Sequence, residues 1–120
     1  MNTYNHIEVE GNLGFDPQIK YFESGAFVVE FNIAIYQGKT RDGESKPPCW
    51  KTVKAWGFEQ ATNLQKGDKV HVIGQFGVDT WNDRETGKPR QKDHIFVNSK
   101  FQGHSIELVP RQSQYADDEF

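Results

Sequence analysis

Two tryptophans and a lysine are spaced so that they can share one face of a strand. Successive side chains of an extended chain point to opposite faces, so Trp50, Lys54 and Trp56 fall on the same face of segment 50–56. A face that packs into a core does not normally hold a lysine between two tryptophans. Indole rings can stack on bases while an ammonium group between them meets a phosphate. The pattern therefore favours a nucleic-acid-binding face.

A third tryptophan, Trp81, ends a long alternating segment in the phase opposite to its apolar residues Val70, Val72, Phe76 and Val78. Basic residues surround these tryptophans and are candidate phosphate ligands. They are Lys54, Arg84, Lys88, Arg90 and Lys92, with Lys39, Arg41 and Lys51 as weaker candidates. The alternative, that the tryptophans fill the barrel ends or a subunit interface, stays open at this point.

The residue types that usually carry enzymatic chemistry have no suitable spacing here. The four histidines are spread without metal-ligand spacing, and Cys49 is the only cysteine. No glycine loop of a phosphate-binding type is present. Carboxylates such as Asp83 and Glu85 lie in a polar segment, which is typical of solvated loop charges. The sequence predicts no catalytic site, no metal and no cofactor.

Length and charge limit the partners that the chain can have. At 120 residues there is room for one domain. The net charge is −3, and three of the 17 acidic residues lie at positions 117–119, so the body is neutral rather than basic. Any affinity for phosphate must therefore come from local patches. The single cysteine and the lack of a targeting signal at the start predict a cytoplasmic location.

Short alternating segments separated by turn residues predict an all-β domain. The predicted strands are 6–10, 26–36, 50–56, 70–81, 94–98 and 105–109, with polar loops at 37–48 and 82–91 and a helix of about two turns at 58–64. In an OB-fold, a five-stranded barrel carries its helix at this place in the chain order. The pattern alone also allows an SH3-like barrel or a small sandwich.

Three stretches match the pattern of a known family. The first is Gly11-Asn12-Leu13-Gly14-Phe15-Asp16-Pro17, followed by Tyr21, Gly25 and Phe31-Asn32-Ile33-Ala34. The second is Trp50, Val53, Trp56 and Gly57, and the third is the segment 66–76 with Trp81 after it. Over residues 5–109 the chain thus resembles the bacterial single-stranded DNA-binding proteins of the type that works as a homotetramer.

The resemblance implies an OB-fold domain over residues 1–110, a five-stranded Greek-key barrel with one short helix, and a short disordered acidic tail over 111–120. It implies single-stranded DNA as the partner, bound with little sequence preference in replication, recombination and repair, and a location with the nucleoid. It further implies a homo-oligomer, with a tetramer favoured over a dimer. Trp50, Trp56 and Trp81 stand at the family's base-stacking positions, and Tyr36 is the substitute for a tryptophan that many relatives have near Lys39.

The end of the chain resembles the family's acidic tip, which recruits replication and repair enzymes. Its residues are Asp117, Asp118, Glu119 and Phe120. From the residues alone, a docking peptide and a solubilising terminus are equally good interpretations. The tip lacks the usual proline before the final phenylalanine, and the long linker before it is almost absent, which suggests a phage- or plasmid-encoded relative.

Three rival functions remain for this sequence. One is an OB-fold protein-interaction module of the replication-restart or primosome type, whose main partner is another protein. The second is an OB domain that binds single-stranded RNA, since only the 2′-OH separates the two nucleic acids. The least favoured is an enzyme such as a nuclease.

Overall fold

The computed structural model describes residues 4–110, which form seven strands and one short helix. The strands are β1 (Ile7–Leu13), β2 (Gln18–Tyr21), β3 (Phe27–Ile35), β4 (Cys49–Trp56), β5 (Lys69–Asn82), β6 (Pro89–Asn98) and β7 (Ser105–Val109). The helix is a 3₁₀-helix, Glu59–Asn63, between β4 and β5. The predicted all-β class is therefore confirmed.

Five of these strands close into a barrel. Their order is β1-β3-β4-β6-β5, and β1 also pairs with β5, which joins the two ends of the sheet. All pairings are antiparallel except that of β4 with β6. β2 adds to β3 and β7 adds to β5 outside the closed ring. The predicted five-stranded barrel is thus present, with two further strands, of which β2 was not predicted.

The barrel interior is filled by the inward side chains of the alternating strands. In β3, Phe31 and Ile33 are fully buried, and in β4 Val53 is fully buried while its neighbours are partly exposed. The complete buried cluster is Leu13, Val29, Phe31, Ile33, Val53, Ala55, Phe58, Ala61, Leu64, Val70, Val72, Ile95, Val97 and Ile106. Burial of this apolar surface is the main force that stabilises the domain.

The helix is shorter than the two turns predicted over 58–64, and it is a 3₁₀-helix. Its five residues are closed by i→i+3 bonds, from Ala61 N–H to the Phe58 carbonyl and from Leu64 N–H to the Ala61 carbonyl. Phe58, Ala61 and Leu64 are all buried. A spacing of three residues matches the 3₁₀ repeat, which places all three side chains on the barrel end. No helix among the described residues is long and apolar enough to cross a membrane.

β5 and β6 extend well beyond the barrel as a two-stranded arm. They pair from Gln75↔Phe96 out to Asn82↔Pro89. The bounds predicted for the loop, 82–91, are therefore wrong, and only residues 83–88 form the turn. Asp83 closes this turn, since its carboxylate accepts bonds from the N–H groups of Glu85 and Thr86.

Within the arm, the apolar residues of β5 are exposed although they share a strand phase with buried residues. Val70 and Val72 are buried as predicted, but Phe76 is 44% and Val78 is 52% exposed. Pairing of β5 with β1 ends at Gly74 and with β7 at Ile73, so the strand beyond has only β6 as a neighbour. A two-stranded arm has no second layer to cover its apolar side.

β1 is longer than predicted as well, because it continues through Gly11, Asn12 and Leu13, which the sequence assigns to a turn. Gly11 allows this extension. A Cβ atom there would lie 2.7 Å from the backbone oxygen of Ala34 on β3. The glycine thus permits a close approach of two strands at the point where β1 leaves β5 and pairs with β3.

Replacement of Gly74 by alanine should destabilise the barrel. A Cβ atom at this position would collide with the backbone oxygen of Phe96, and a backbone group cannot rotate away. We expect a loss of about 1–3 kcal/mol in the free energy of unfolding, the usual effect of overpacking. Urea unfolding followed by circular dichroism measures it. Thr80→Ala, at an exposed position of the same strand, is the control, and an equal effect of both variants would contradict the steric explanation.

Two histidines outside the core have opposite electrostatic environments. On the outer surface of β1 and β5, His71 lies 2.6 Å from Glu8 and 3.3 Å from Glu10. Burial lowers the pKa of His71, but the hydrogen bonds to the two glutamates outweigh it, so the net pKa is raised above 6.5. Burial, helped by the charge of His6, lowers the pKa of His104, whose Nδ1 accepts a bond from the Asn98 N–H.

These histidines should contribute to stability at opposite ends of the neutral range. A histidine whose pKa is raised on folding stabilises the folded state fully below the unfolded pKa of about 6.5, and this contribution is lost as pH rises through the folded pKa. A histidine whose pKa is lowered on folding stabilises the folded state above the unfolded pKa, and this contribution is lost as pH falls through the folded pKa. The cost of His71→Gln should therefore shrink as pH rises, and the cost of His104→Gln should shrink as pH falls. Urea midpoints between pH 5 and 9 test this, and parallel pH courses for the two variants would contradict it.

Candidate nucleic-acid interface

The outward side chains of β3, β4, β6 and the arm form one continuous surface, called the tryptophan face below. Paired residues of neighbouring strands point to the same side of a sheet, so the pairing register defines its members. They are Glu30, Asn32 and Ala34 of β3, Trp50, Thr52, Lys54 and Trp56 of β4, Arg90, Lys92, His94 and Phe96 of β6, and Gly77, Asp79 and Trp81 of β5. All three tryptophans therefore share one face.

Trp50 lies at one end of this face and is 54% exposed. Its ring packs over Gly14, in the turn after β1, where a Cβ atom would lie 2.6 Å from the ring atom Cζ3. Any side chain at position 14 would displace the indole. The absence of a side chain there thus sets the position of the ring, while its outer surface stays accessible.

Trp56 lies at the other end of β4 and is held by a second aromatic ring. Phe22 stacks on it with the ring centroids 5.5 Å apart and the planes 19° from parallel. Lys20 places its ammonium group 5.3 Å from the centre of the Phe22 ring, within the range of a cation–π contact. Two offset rings of this geometry stabilise each other beyond the area that they bury.

Trp81 and Tyr36 are carried by segments that project from the barrel. Trp81 is 50% exposed on the arm, directly opposite Arg90. Tyr36 follows the last residue of β3 and is also largely exposed. Both rings are accessible from solvent, and Trp81 lies in the strand phase of the tryptophan face.

Several of the predicted phosphate ligands are paired with acids in the structure. Lys54 Nζ lies 2.7 Å from Asp79 Oδ2 and 3.9 Å from Glu30 Oε1. Lys51, on the opposite side of β4, lies 3.0 Å from Asp93, and Arg90 Nε lies 3.3 Å from Asp83. The charge of these three cations is thus partly compensated before any ligand arrives.

The pKa values of the paired groups follow from these contacts. The hydrogen bond from Lys54 lowers the pKa of Asp79. The hydrogen bond between Lys51 and Asp93 lowers the pKa of Asp93 and raises the pKa of Lys51. In Asp83 the two backbone N–H groups of the turn are the main cause of a lowered pKa. All three carboxylates are therefore held in the charged form at neutral pH.

The remaining basic candidates have no ion pair within residues 4–110. They are Lys92 on the tryptophan face, Arg84 and Lys88 in the arm turn, and Lys39 and Arg41 in the loop between β3 and β4. That loop is folded back on itself, since Lys39 bridges to Ser45 and Lys46 N–H donates to the Gly38 carbonyl. These cations border the tryptophan face at the arm and at the loop.

Sequence reasoning missed three features of this face. Sequence reasoning gave Phe22 no role, although this aromatic residue just before the turn residues Ser24 and Gly25 was a usable signal. Thr52 donates a 2.7 Å bond to the Asn32 side chain, which fixes two polar groups beside Trp50. His94 is nearly buried, and its ring covers Gly77 with Nδ1 3.3 Å from Asp79 Oδ2. None of these contacts is visible in a strand pattern.

The described residues hold no group of three or more histidine, cysteine or carboxylate side chains that could bind a metal ion. The predicted docking tip, Asp117, Asp118, Glu119 and Phe120, lies outside the residues that the structure describes, as does the rest of the predicted tail. The site that the structure does describe is an aromatic, mixed-charge surface.

Comparison with known sequences gives a consistent group of relatives. A family model described as the single-strand binding protein family matches residues 4–103. The single-stranded DNA-binding protein 1 of Synechocystis is 39% identical over 100 residues, which cover 81% of each chain. The single-stranded DNA-binding protein 2 of Nostoc is 32% identical over 119 residues, which cover 95% of this chain and 86% of the relative.

A solved structure shares the fold. The protein chain of a Plasmodium falciparum SSB complex with ssDNA superimposes with a TM-score of 0.75 and covers 92% of this chain and 98% of its own length. Its sequence identity is only 21%. At that identity the likeness concerns the fold, and it agrees with the barrel described above.

Proposed function

The chain belongs to the single-strand binding protein family, and on this premise we propose that it binds single-stranded DNA on the tryptophan face. Bases stack on Trp50, Trp56 and Trp81, with Tyr36 as a further ring at the end of β3. The binding has little sequence preference, because every base has a face that can stack.

One observation carries this proposal: the three tryptophans lie in one strand phase on β4 and β5, the two strands that flank β6. Trp50 and Trp81 are 54% and 50% exposed, and Trp56 is partly exposed. In a core or a filled barrel end, these rings would be covered. The described strands bury Val53, Ala55, Ile95 and Val97 instead, on the opposite side of the same strands. The domain therefore places smaller apolar residues inside and leaves its largest rings outside.

The phosphate contacts come from cations at the border of this face. Lys92, Arg84, Lys88, Lys39 and Arg41 have no acidic partner among the described residues, which makes them the first choice. Lys54, Arg90 and Lys51 contribute where a phosphate displaces or joins the acid that each one holds. Each cation that contacts a phosphate should add about 0.7 to the slope of log affinity against log salt.

Several parts of the proposal concern the whole protein. The chain acts without enzymatic activity, as a cytoplasmic protein that protects single strands in replication, recombination and repair. It forms a homo-oligomer, with a tetramer favoured over a dimer. Residues 1–110 form the DNA-binding domain, and Asp117, Asp118, Glu119 and Phe120 recruit partner proteins. The acidic composition of that tip and its terminal aromatic residue support the last point.

Removal of the Trp81 ring should weaken DNA binding without unfolding the domain. Each stacked base is worth about 1–3 kcal/mol in measurements on OB-fold proteins, so Trp81→Leu should weaken binding about 5- to 150-fold. Titration with oligo-dT, followed by fluorescence anisotropy of a labelled oligonucleotide, gives the affinity. In the unmodified chain the same titration should quench tryptophan emission.

Phe76→Leu is the matched control, because Phe76 has a similar exposure on the same strand but faces the other side of the arm. Its affinity should stay near that of the unmodified chain. Equal affinities for the unmodified chain, Trp81→Leu and Phe76→Leu would show that Trp81 does not contact the DNA. Preference for oligo-U over oligo-dT would favour the RNA-binding alternative, and no binding of either would favour a protein-interaction module.

Neutralisation of Asp79 should strengthen binding. This carboxylate lies on the tryptophan face and holds Lys54 at 2.7 Å, so Asp79→Asn removes a negative charge and releases a cation for phosphate. One added phosphate contact raises the slope of log affinity against log salt by about 0.7. Anisotropy titrations at several salt concentrations measure the slope. The control is Glu107→Gln, which neutralises a carboxylate on the outer surface of β7. An unchanged slope for Asp79→Asn would show that Lys54 does not contact the DNA.

A further inference from the structure

A cleft of about 550 Å³ lies beside Trp56 at the end of the tryptophan face. One wall is the turn between β2 and β3, from Ser24 to Phe27, and the other is the end of β6 with the residues after it, from Asn98 to Lys100. Trp56 and Gly57 lie between the two walls. The cleft is therefore continuous with the surface on which bases stack.

The wall that carries Lys100 is fixed by four hydrogen bonds. Ser99 N–H donates to the Trp56 carbonyl, so the turn is tied directly to the strand that holds the tryptophan. The N–H groups of Lys100 and Phe101 donate to the side chain and to the carbonyl of Asn98, and Asn98 N–H donates to His104 Nδ1. A turn held in this way is ordered before a ligand binds, which lowers the cost of binding.

The charge of the cleft suits a phosphate. Lys100 has no acidic partner within residues 4–110, in contrast to Lys54, and no carboxylate is among the residues that line the cleft. The Ser99 hydroxyl and the Asn98 side chain add polar groups beside it. Lys54, the other cation close to Trp56 along β4, is paired with Asp79 and Glu30, whereas the remaining cations of the proposed interface belong to the arm, the β3–β4 loop and the far end of β4.

The Trp56 ring is also held in place from outside the cleft. Phe22 stacks on the indole but is not among the residues that line the cleft. Its backbone is fixed as well, since Phe22 N–H donates to the Ala26 carbonyl and Gly25 N–H donates to the Phe22 carbonyl. Phe22 is thus a positioning residue that orients the indole at the mouth of the cleft.

We propose that this cleft is a further nucleotide subsite, in which a base contacts Trp56 and the adjacent phosphate of the single strand binds Lys100. The inference rests on the proposed function and extends it, because it continues the path of the DNA past Trp56 and around the end of β6. The occupant is a nucleotide of the same strand that stacks on the tryptophan face.

Lys100→Gln tests the subsite. Loss of one phosphate contact lowers the salt slope by about 0.7, which corresponds to about eightfold weaker binding at 50 mM salt and about fourfold at 150 mM. Lys100→Glu should weaken binding further. Anisotropy titrations of the full chain with oligo-dT give both quantities. Lys69→Gln, an exposed lysine on the outer surface of β5 beside β1 and β7, is the control and should leave the slope unchanged.

A second readout separates this inference from the proposed function. In a variant with Trp56 as the only tryptophan, made by Trp50→Phe and Trp81→Phe, oligo-dT should quench Trp56 emission. Quenching together with an unchanged slope for Lys100→Gln would overturn the subsite and leave the proposed function intact. If the unmodified chain binds no single-stranded DNA, both the subsite and the proposed function are wrong.

Discussion

The parallel pairing of β4 with β6 is the constraint on which the rest of the site depends. It aligns Val53 with Ile95 and Ala55 with Val97, four residues that are fully buried, and so fixes which side of both strands faces the barrel interior. Because side chains alternate, the same register turns Trp50, Lys54 and Trp56 outward. A slip of one residue would exchange the two faces and bury a lysine between two indoles. Burial of the inner face thus specifies the outer one, and no separate device is needed to keep the rings exposed.

The electrostatics of the face follow from its strand partners. The arm brings Asp79 into the phase of Lys54, and β3 brings Glu30 beside it, so the central cation has two acids within 4.0 Å. Along this part of β5 the chain has Gly77, Asp79 and Thr80, none of which is basic. In the proposed binding mode, such a face would attract phosphate weakly at long range, and most of its contacts with the strand would form after the bases have stacked. The neutral body charge, which at first argues against a nucleic-acid partner, is therefore consistent with binding in which stacking contributes more free energy than phosphate contacts do.

Much of this arrangement could be predicted from the sequence, and the parts that could not share a cause. Strand alternation alone placed the three tryptophans away from the core, and it placed Val53 and Ala55 inside. It failed for Phe76 and Val78, because alternation shows that two residues share a side but not whether another layer covers that side. It missed the ion pairs of Lys54 and Lys51, since those depend on the register between strands far apart in the chain. The helix predicted over 58–64 is present but shorter, and its 3₁₀ type could not be read from the sequence because a spacing of three fits a 3₁₀ turn at a barrel end as well as an α-helix.

In the proposed binding mode, fixed rings would explain how so small a surface can hold a flexible strand. A single-stranded ligand loses much conformational freedom when it binds, and side chains that must also be ordered add to that cost. Here Gly14 leaves room for Trp50 to pack against the β1–β2 turn, and Phe22 stacks on Trp56, so both indoles are already oriented in the free protein. Their stacking energy is then available to the ligand with little loss. Neither contact selects a particular base, because Gly14 meets the edge of the Trp50 ring and Phe22 stacks on the Trp56 ring rather than on the bound base. Preorganised rings thus raise affinity while leaving the surface tolerant of sequence.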